Sequence, residues 1–202
     1  MKLIILALSI LLLNSQLFIL HSQNTALTQL PYINSNIYTF DILGNGKYLY
    51  FANENSIIQY DLINNVTVNI IDVHTGSPVV SILVHTNIIL LGTKSGKLIS
   101  VSKETGKTLF ENDYRSGRVN ALALTSDERY VISGLESGMV FKHSIEDLNL
   151  VDTIFQHEKA ITSIDVSREK QLIAISSEDG SISLVSEPTY EWIKKYWFQM
   201  IG

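Results

Sequence analysis

The stretch that decides the fold is AITSIDVSREKQLIAISSEDGSISLVS, residues 160–186. Short runs of β-branched and aliphatic residues alternate there with polar turns, and the second turn ends at Gly180. Residues 118–144, RVNALALTSDERYVISGLESGMVFKHS, repeat this arrangement, with Gly138 closing the same turn. The pattern indicates β-strands, because helices would show long apolar faces with a period of about 3.6 residues.

The arrangement recurs in four segments of about 41 residues, the other two being residues 36–61 and 78–102. The first apolar residues of the segments are spaced 42, 40 and 42 apart: Ile37, Val79, Val119 and Ile161. The second turns are spaced 41, 42 and 42 apart: Asn55, Gly96, Gly138 and Gly180. Short antiparallel strands in a repeat of this length form a propeller blade. The sequence therefore predicts an all-β fold of about four antiparallel four-stranded β-propeller blades.

This register divides the chain into segments. We predict an apolar N-terminal segment, an outer strand or linker, and four blades, of which the last carries an aromatic and basic tail: residues 1–22, 23–35, 36–78, 79–118, 119–160 and 161–202. Two interpretations of residues 1–22 stay open. Lys2 followed by the apolar run Leu3 to Leu13 is typical of a signal peptide. Asn14 lies 41 residues before Asn55, which favours a truncated blade.

The four segments resemble WD repeats. The resemblance implies that His157 and Asp179 are partners in the hydrogen-bond network that ties a blade together, with Ser176 or Ser177 as the member from the second strand. Val185 stands where the family has its tryptophan. WD propellers usually close with seven blades, so the resemblance also implies a fragment of a longer protein, a propeller completed by a partner chain, or a small four-blade ring.

A narrower resemblance concerns the last hundred residues, including IEDLNLVDTIFQHEKAITSIDVS and the final TYEWIKKYW, which look like the C-terminal propeller of BEACH-domain proteins. It implies a cytoplasmic scaffold, peripheral to endomembranes and active in vesicle traffic or membrane-associated assembly. The alternative starts from SGKLISVSKETGKTLF, which is similar to a blade of quinone-dependent dehydrogenases. Together with the apolar N-terminus, it favours a secreted or lumenal propeller.

Composition narrows the classes of function. The chain of 202 residues has no cysteine, so it offers no disulfide, thiolate metal site or Cys nucleophile. A net charge of −5 disfavours nucleic acid as a partner. The five histidines show no metal-binding spacing, and His74 and His157 precede first strands, where a structural histidine is expected. We therefore expect no catalytic, cofactor or metal site, no small-molecule substrate, and a non-enzymatic protein that binds other proteins.

The tail WIKKYWF places both tryptophans of the chain beside a tyrosine and two lysines. One interpretation is an outer strand that covers the last blade. The other is an anchor for a partner protein, formed by Trp192, Tyr196 and Trp197, because Trp and Tyr dominate the binding energy of interfaces.

Overall fold

The computed structural model describes residues 18–20, 27–29, 37–43, 46–53 and 55–197. The chain divides into two units, residues 1–37 and 38–202. In the first unit, strands β1 (Phe18–Leu20) and β2 (Leu27–Gln29) pair antiparallel. Most of residues 1–35 lies outside the described residues, so the signal peptide, the truncated blade and the linker stay predictions.

The second unit contains four antiparallel four-stranded sheets, each built from four consecutive strands. Blade 1 comprises β3 (Thr39–Ile42), β4 (Tyr48–Ala52), β5 (Ser56–Asp61) and β6 (Val66–Asp72). Blade 2 comprises β7 (Val79–His85), β8 (Ile88–Thr93), β9 (Lys97–Ser102) and β10 (Thr108–Asp113). Blade 3 comprises β11 (Val119–Leu124), β12 (Tyr130–Leu135), β13 (Met139–Ser144) and β14 (Leu150–Gln156). Blade 4 comprises β15 (Ile161–Ser167), β16 (Leu172–Ser177), β17 (Ser181–Ser186) and β18 (Trp192–Trp197). The predicted all-β architecture is confirmed.

The hydrophobic core lies between neighbouring blades. One cluster joins blades 1 and 2 and contains Tyr50, Ile57 and Leu91. A second joins blades 2 and 3 through Leu90 and Val131, and a third joins blades 3 and 4. Burial of this kind leaves the outer strand of each blade as its most exposed strand. It also means that each blade is stabilised mainly by the blades beside it.

The first strands of the blades lie next to one another in chain order and form the inner side of the array. Each is joined to the next by a hydrogen bond from or to a polar side chain. These bonds join Val84 N to Asp41 Oδ2 at 2.7 Å, Ser81 Oγ to Val119 O at 2.7 Å, and Asn120 Nδ2 to Ile161 O at 2.9 Å. Polar residues on these strands therefore hold neighbouring blades together.

The glycine marker of the repeat has a conformational cause. The second turn of three blades contains a glycine with positive φ: Gly96 (95°), Gly138 (85°) and Gly180 (85°). Blade 1 makes its turn differently, because the amides of Asn55 and Ser56 donate to Asn53 Oδ1 at 2.9 and 2.8 Å. An Asx turn thus replaces the glycine. The spacing repeats because every blade turns tightly at this point.

Candidate functional site

In blade 4 the structure brings His157 and Asp179 together. His157 lies between β14 and β15, and Asp179 lies in the turn between β16 and β17. His157 Nδ1 is 3.0 Å from Asp179 Oδ2, and the exposed fractions of the two side chains are 0% and 3%. The contact therefore joins the segment between β14 and β15 to the turn between β16 and β17.

The Asp179 carboxylate accepts several further hydrogen bonds. Oδ1 accepts the Ser181 amide at 2.9 Å and the Ser181 hydroxyl, and Oδ2 accepts Lys195 Nζ at 3.3 Å. Burial alone would raise the pKa of Asp179. The hydrogen bonds, led by those from Ser181 and His157, outweigh burial and hold the pKa well below its ordinary value. The buried carboxylate therefore stays ionised.

Of the two serines that the resemblance allows as the third member, Ser177 and not Ser176 joins this network. Adjacent residues of a strand point to opposite faces of the sheet. Ser177 is buried, and its hydroxyl accepts the Asp179 amide at 3.1 Å and donates to Lys159 O at 3.0 Å. The hydroxyl of Ser176 lies 2.7 Å from that of Thr162 on the other face.

Ser181 is a member of this network that the sequence did not reveal. Its hydroxyl donates to Asp179 Oδ1 and lies 3.2 Å from His157 Nδ1. The available signal was its position two residues after Asp179 in a tight turn, from which a short hydroxyl side chain reaches the carboxylate.

Blade 3 holds a second buried network that sequence reasoning missed. Tyr114 precedes β11, its hydroxyl lies 3.0 Å from Ser133 Oγ, and it hydrogen-bonds His143 Nε2. His143 Nδ1 lies 3.1 Å from Leu148 O. Because a carbonyl only accepts, Nδ1 carries the proton and Nε2 accepts from Tyr114. Burial lowers the pKa of His143, which favours this neutral ring.

The two networks can be compared through the repeat. Ser133 and His143 stand 42 residues before Ile175 and Val185, whose side chains form no hydrogen bonds. In blade 4, His157 Nε2 is buried and has no hydrogen-bond partner among the described residues. At the position where the family has its tryptophan, blade 3 therefore has His143, whose ring forms hydrogen bonds. Blade 4 has Val185 there, and Nε2 of His157 has no partner among the described residues.

Replacing Tyr114 with phenylalanine is expected to lower the free energy of unfolding by about 2 kcal/mol, because it leaves two buried polar atoms without their partner. The ring contact with Phe141, at 5.1 Å between centroids, should persist. Urea unfolding followed by tryptophan fluorescence measures the change. Tyr196→Phe is the control, since Tyr196 is exposed and should lose less than about 0.5 kcal/mol. Equal stability of the two variants would contradict a structural role for the Tyr114 hydroxyl.

His74 differs from its prediction as a structural histidine. Its side chain is exposed, whereas the neighbouring Thr75 is buried and donates to Ser77 O at 2.6 Å.

In blade 1, Asp61 occupies the family's aspartate position. It accepts the amides of Ile63 and Asn64 at 2.8 and 2.9 Å. These residues form local turns and make no catalytic constellation.

The predicted partner anchor lies on β18, the outer strand of blade 4. Trp192, Tyr196 and Trp197 have exposed fractions of 57%, 40% and 61%. The ammonium of Lys194 lies 4.7 Å from the Tyr196 ring centroid, and that of Lys195 lies 4.3 Å from the Trp197 ring. We call these five residues the aromatic strand surface. The backbone of β18 forms the outer strand of blade 4, in line with the first interpretation. Its aromatic rings are exposed, so the anchor role stays a prediction.

Within the described residues, no group of three or more His, Cys, Asp or Glu side chains is placed to hold a metal ion. The same part of the chain contains no helix long and apolar enough to cross a membrane.

Comparison with known proteins identifies the repeat. The family "WD domain, G-beta repeat" matches residues 148–186, which run from β14 to β17. The sequence repeat thus joins the outer strand of one blade to the first three strands of the next. Over 107 residues the chain is 26% identical to eukaryotic translation initiation factor 3 subunit I of Kluyveromyces lactis. The match covers 53% of this chain and 30% of that protein, so the chain spans less than a third of its relative's length.

Solved structures share the fold. A chain of the mitotic checkpoint complex superposes with a TM-score of 0.77 at 14% identity, covering 90% of this chain and 58% of that one. The computationally designed Ika4 protein gives a TM-score of 0.65 at 19% identity, covering 78% of this chain and 94% of that one. At these identities the likeness concerns the fold alone.

Proposed function

We propose that this WD-repeat β-propeller chain is a non-catalytic scaffold that binds other proteins. The aromatic strand surface is the observation that carries the proposal, since two tryptophans and a tyrosine stand exposed on a strand that a rigid blade holds in place. Exposed aromatic side chains of this kind supply large contact area at low entropic cost. Two buried ionisable side chains of blade 4, His157 and Asp179, bond to each other and to neighbouring polar groups of the blade.

The relatives support this class of function. The yeast protein is by its name a subunit of a larger factor, and the checkpoint structure is a complex. The resemblance of the last hundred residues to BEACH-domain propellers supports a finer proposal, in which the chain acts in the cytoplasm, close to endomembranes, in vesicle traffic or membrane-associated assembly.

The test is affinity capture with the double variant Trp192→Ala/Trp197→Ala. Each truncation is expected to cost about 2 kcal/mol of binding, or roughly 30-fold in affinity. A partner captured by the wild type should therefore be lost, while the circular dichroism spectrum stays unchanged because both rings are exposed. Quantitative mass spectrometry of captured proteins gives the measurement.

Phe110→Ala is the matched control, because Phe110 is an exposed aromatic residue on the outer strand of blade 2. It should capture the partner as the wild type does. Capture is performed from the cytosolic fraction and from solubilised microsomes in parallel. Partners recovered only from the microsomal lumen would contradict the cytoplasmic setting, and equal capture by the double variant would contradict the anchor.

A further inference from the structure

A pocket of about 370 Å³ lies where blades 3 and 4 meet. Blade 3 contributes Lys142 of β13, Tyr130 at the start of β12, and the turn between β11 and β12, which includes Arg129. Blade 4 contributes Glu187 and Tyr190 from the turn between its last two strands. This volume is in the range of small ligand sites and is large enough for one amino-acid side chain.

Lys142 is the unusual group of this pocket. The residue is only 9% exposed, and its ammonium lies 3.8 Å from the Tyr190 ring centroid and 4.6 Å from that of Tyr130. Among the described residues, no carboxylate lies within 4.0 Å of this nitrogen and no hydrogen bond engages it. The face of a tyrosine ring attracts a cation, but it does not accept hydrogen bonds from an ammonium in the way that an anion does. The N–H bonds of the Lys142 ammonium therefore remain available for an anion that enters the pocket.

The two carboxylates that line the pocket are already engaged. Asp127 accepts the Thr125 hydroxyl at 2.6 Å and Arg129 Nε at 2.7 Å, and these bonds lower the pKa of Asp127 to about 2. Glu187 accepts both the amide and the hydroxyl of Ser126. Neither carboxylate therefore supplies the anion that Lys142 lacks.

We propose that this pocket receives the carboxylate side chain of a glutamate or aspartate from a partner protein, with Lys142 as its counter-ion. Tyr130 and Tyr190 hold the ammonium in place before the partner arrives, which reduces the entropy lost on binding. The four charged groups that line the pocket, Lys142, Arg129, Asp127 and Glu187, sum to zero, so a second negative charge on a ligand gains no net attraction. A dianion costs more than a monoanion to take out of water, so the site selects a carboxylate over a phosphate. The proposal rests on the proposed function, since it names the chemistry of one contact with the partner.

The first experiment uses N-acetyl-glutamate methylamide, a capped single residue, as the probe. Titration at constant ionic strength is followed by NMR at the amides of Ser126 and Tyr190. We expect saturable shifts with this probe, at least tenfold weaker binding of the glutamine analogue, and weaker binding of inorganic phosphate. No saturable shift with the capped glutamate would overturn the proposal, and so would tighter binding of phosphate.

The second experiment compares Lys142→Met with Lys47→Met. Both variants remove an ammonium that lies over a tyrosine ring, but Lys47 belongs to blade 1, outside both the pocket and the aromatic strand surface. Lys142→Met keeps most of the length of the buried side chain, so its thermal unfolding should remain cooperative. We expect it to abolish the shifts, whereas Lys47→Met should leave them unchanged. Unchanged binding by Lys142→Met would overturn the role of Lys142.

Affinity capture separates this inference from the proposed function. If Lys142 contacts the partner, capture by Lys142→Met should fall at least tenfold relative to Lys47→Met. Equal capture by both variants, with the partner still lost from Trp192→Ala/Trp197→Ala, would overturn the carboxylate site and leave the scaffold function standing.

Discussion

Asp179→Ala is expected to lower the free energy of unfolding by about 3 kcal/mol, because it removes the buried anion that His157, Ser181 and Lys195 share. For a unit of this size, the melting temperature should fall by about 6–12 °C. Calorimetry or circular dichroism measures the shift. Asp165→Ala is the matched control in the same blade, since the Asp165 side chain is exposed and accepts only the amide of Val166 at 2.9 Å. Equal losses in both variants would contradict the network.

The wild type and Asp179→Ala also differ in how their stability depends on pH. The folded state holds the pKa of Asp179 below its unfolded value of about 3.8, so the carboxylate stabilises the fold above that pH. As the pH falls below this value, the contribution is lost progressively. The difference in unfolding free energy between wild type and Asp179→Ala should therefore shrink as the pH falls from 4 towards 2. A difference that grew on acidification would contradict an ionised Asp179.

Gly138→Ala is expected to lower the free energy of unfolding by about 3 kcal/mol, for two separate reasons. Gly138 has a φ of 85°, which L-residues rarely adopt. An added Cβ would also overlap the carbonyl oxygens of His157 and Lys159 in the connection to blade 4. Urea unfolding followed by tryptophan fluorescence measures the loss.

Gly46→Ala separates these two causes. Gly46 has a φ of 68°, but a Cβ at this position meets no atom within 4 Å. It should therefore lose only about 1 kcal/mol, the cost of the backbone conformation. If Gly138→Ala lost no more than Gly46→Ala, the close approach between the turn of blade 3 and the connection to blade 4 would have no energetic weight.

The blades were predictable because the signal for them is local. Strand alternation and a tight turn recur at fixed spacing, and the turn glycines are required by a backbone geometry that each blade repeats. The partnership of His157 and Asp179 followed from a resemblance at matching positions, and their side chains do approach to 3.0 Å. The resemblance allowed both Ser176 and Ser177, since only the face of the strand distinguishes these adjacent serines.

The network of Tyr114, Ser133 and His143 had no comparable signal. Its members lie in three different parts of the blade, and His143 stands where the family has its tryptophan. Lys142 was equally hidden, because Tyr130 and Tyr190 belong to different blades and meet only after the blades have packed. Sequence periodicity predicts what lies within a repeat, whereas contacts between repeats depend on side chains that the repeat does not constrain.

Each blade is made from four consecutive strands, and this arrangement has a consequence for how the protein is synthesised. Every strand pairing closes a loop of only a few residues, and the entropic cost of closure grows with loop length. The contact order of a blade is therefore low for a β-structure, which favours rapid formation. A blade can pair all its strands as soon as its last residue leaves the ribosome, and it then presents an apolar face on which the next blade can assemble during translation.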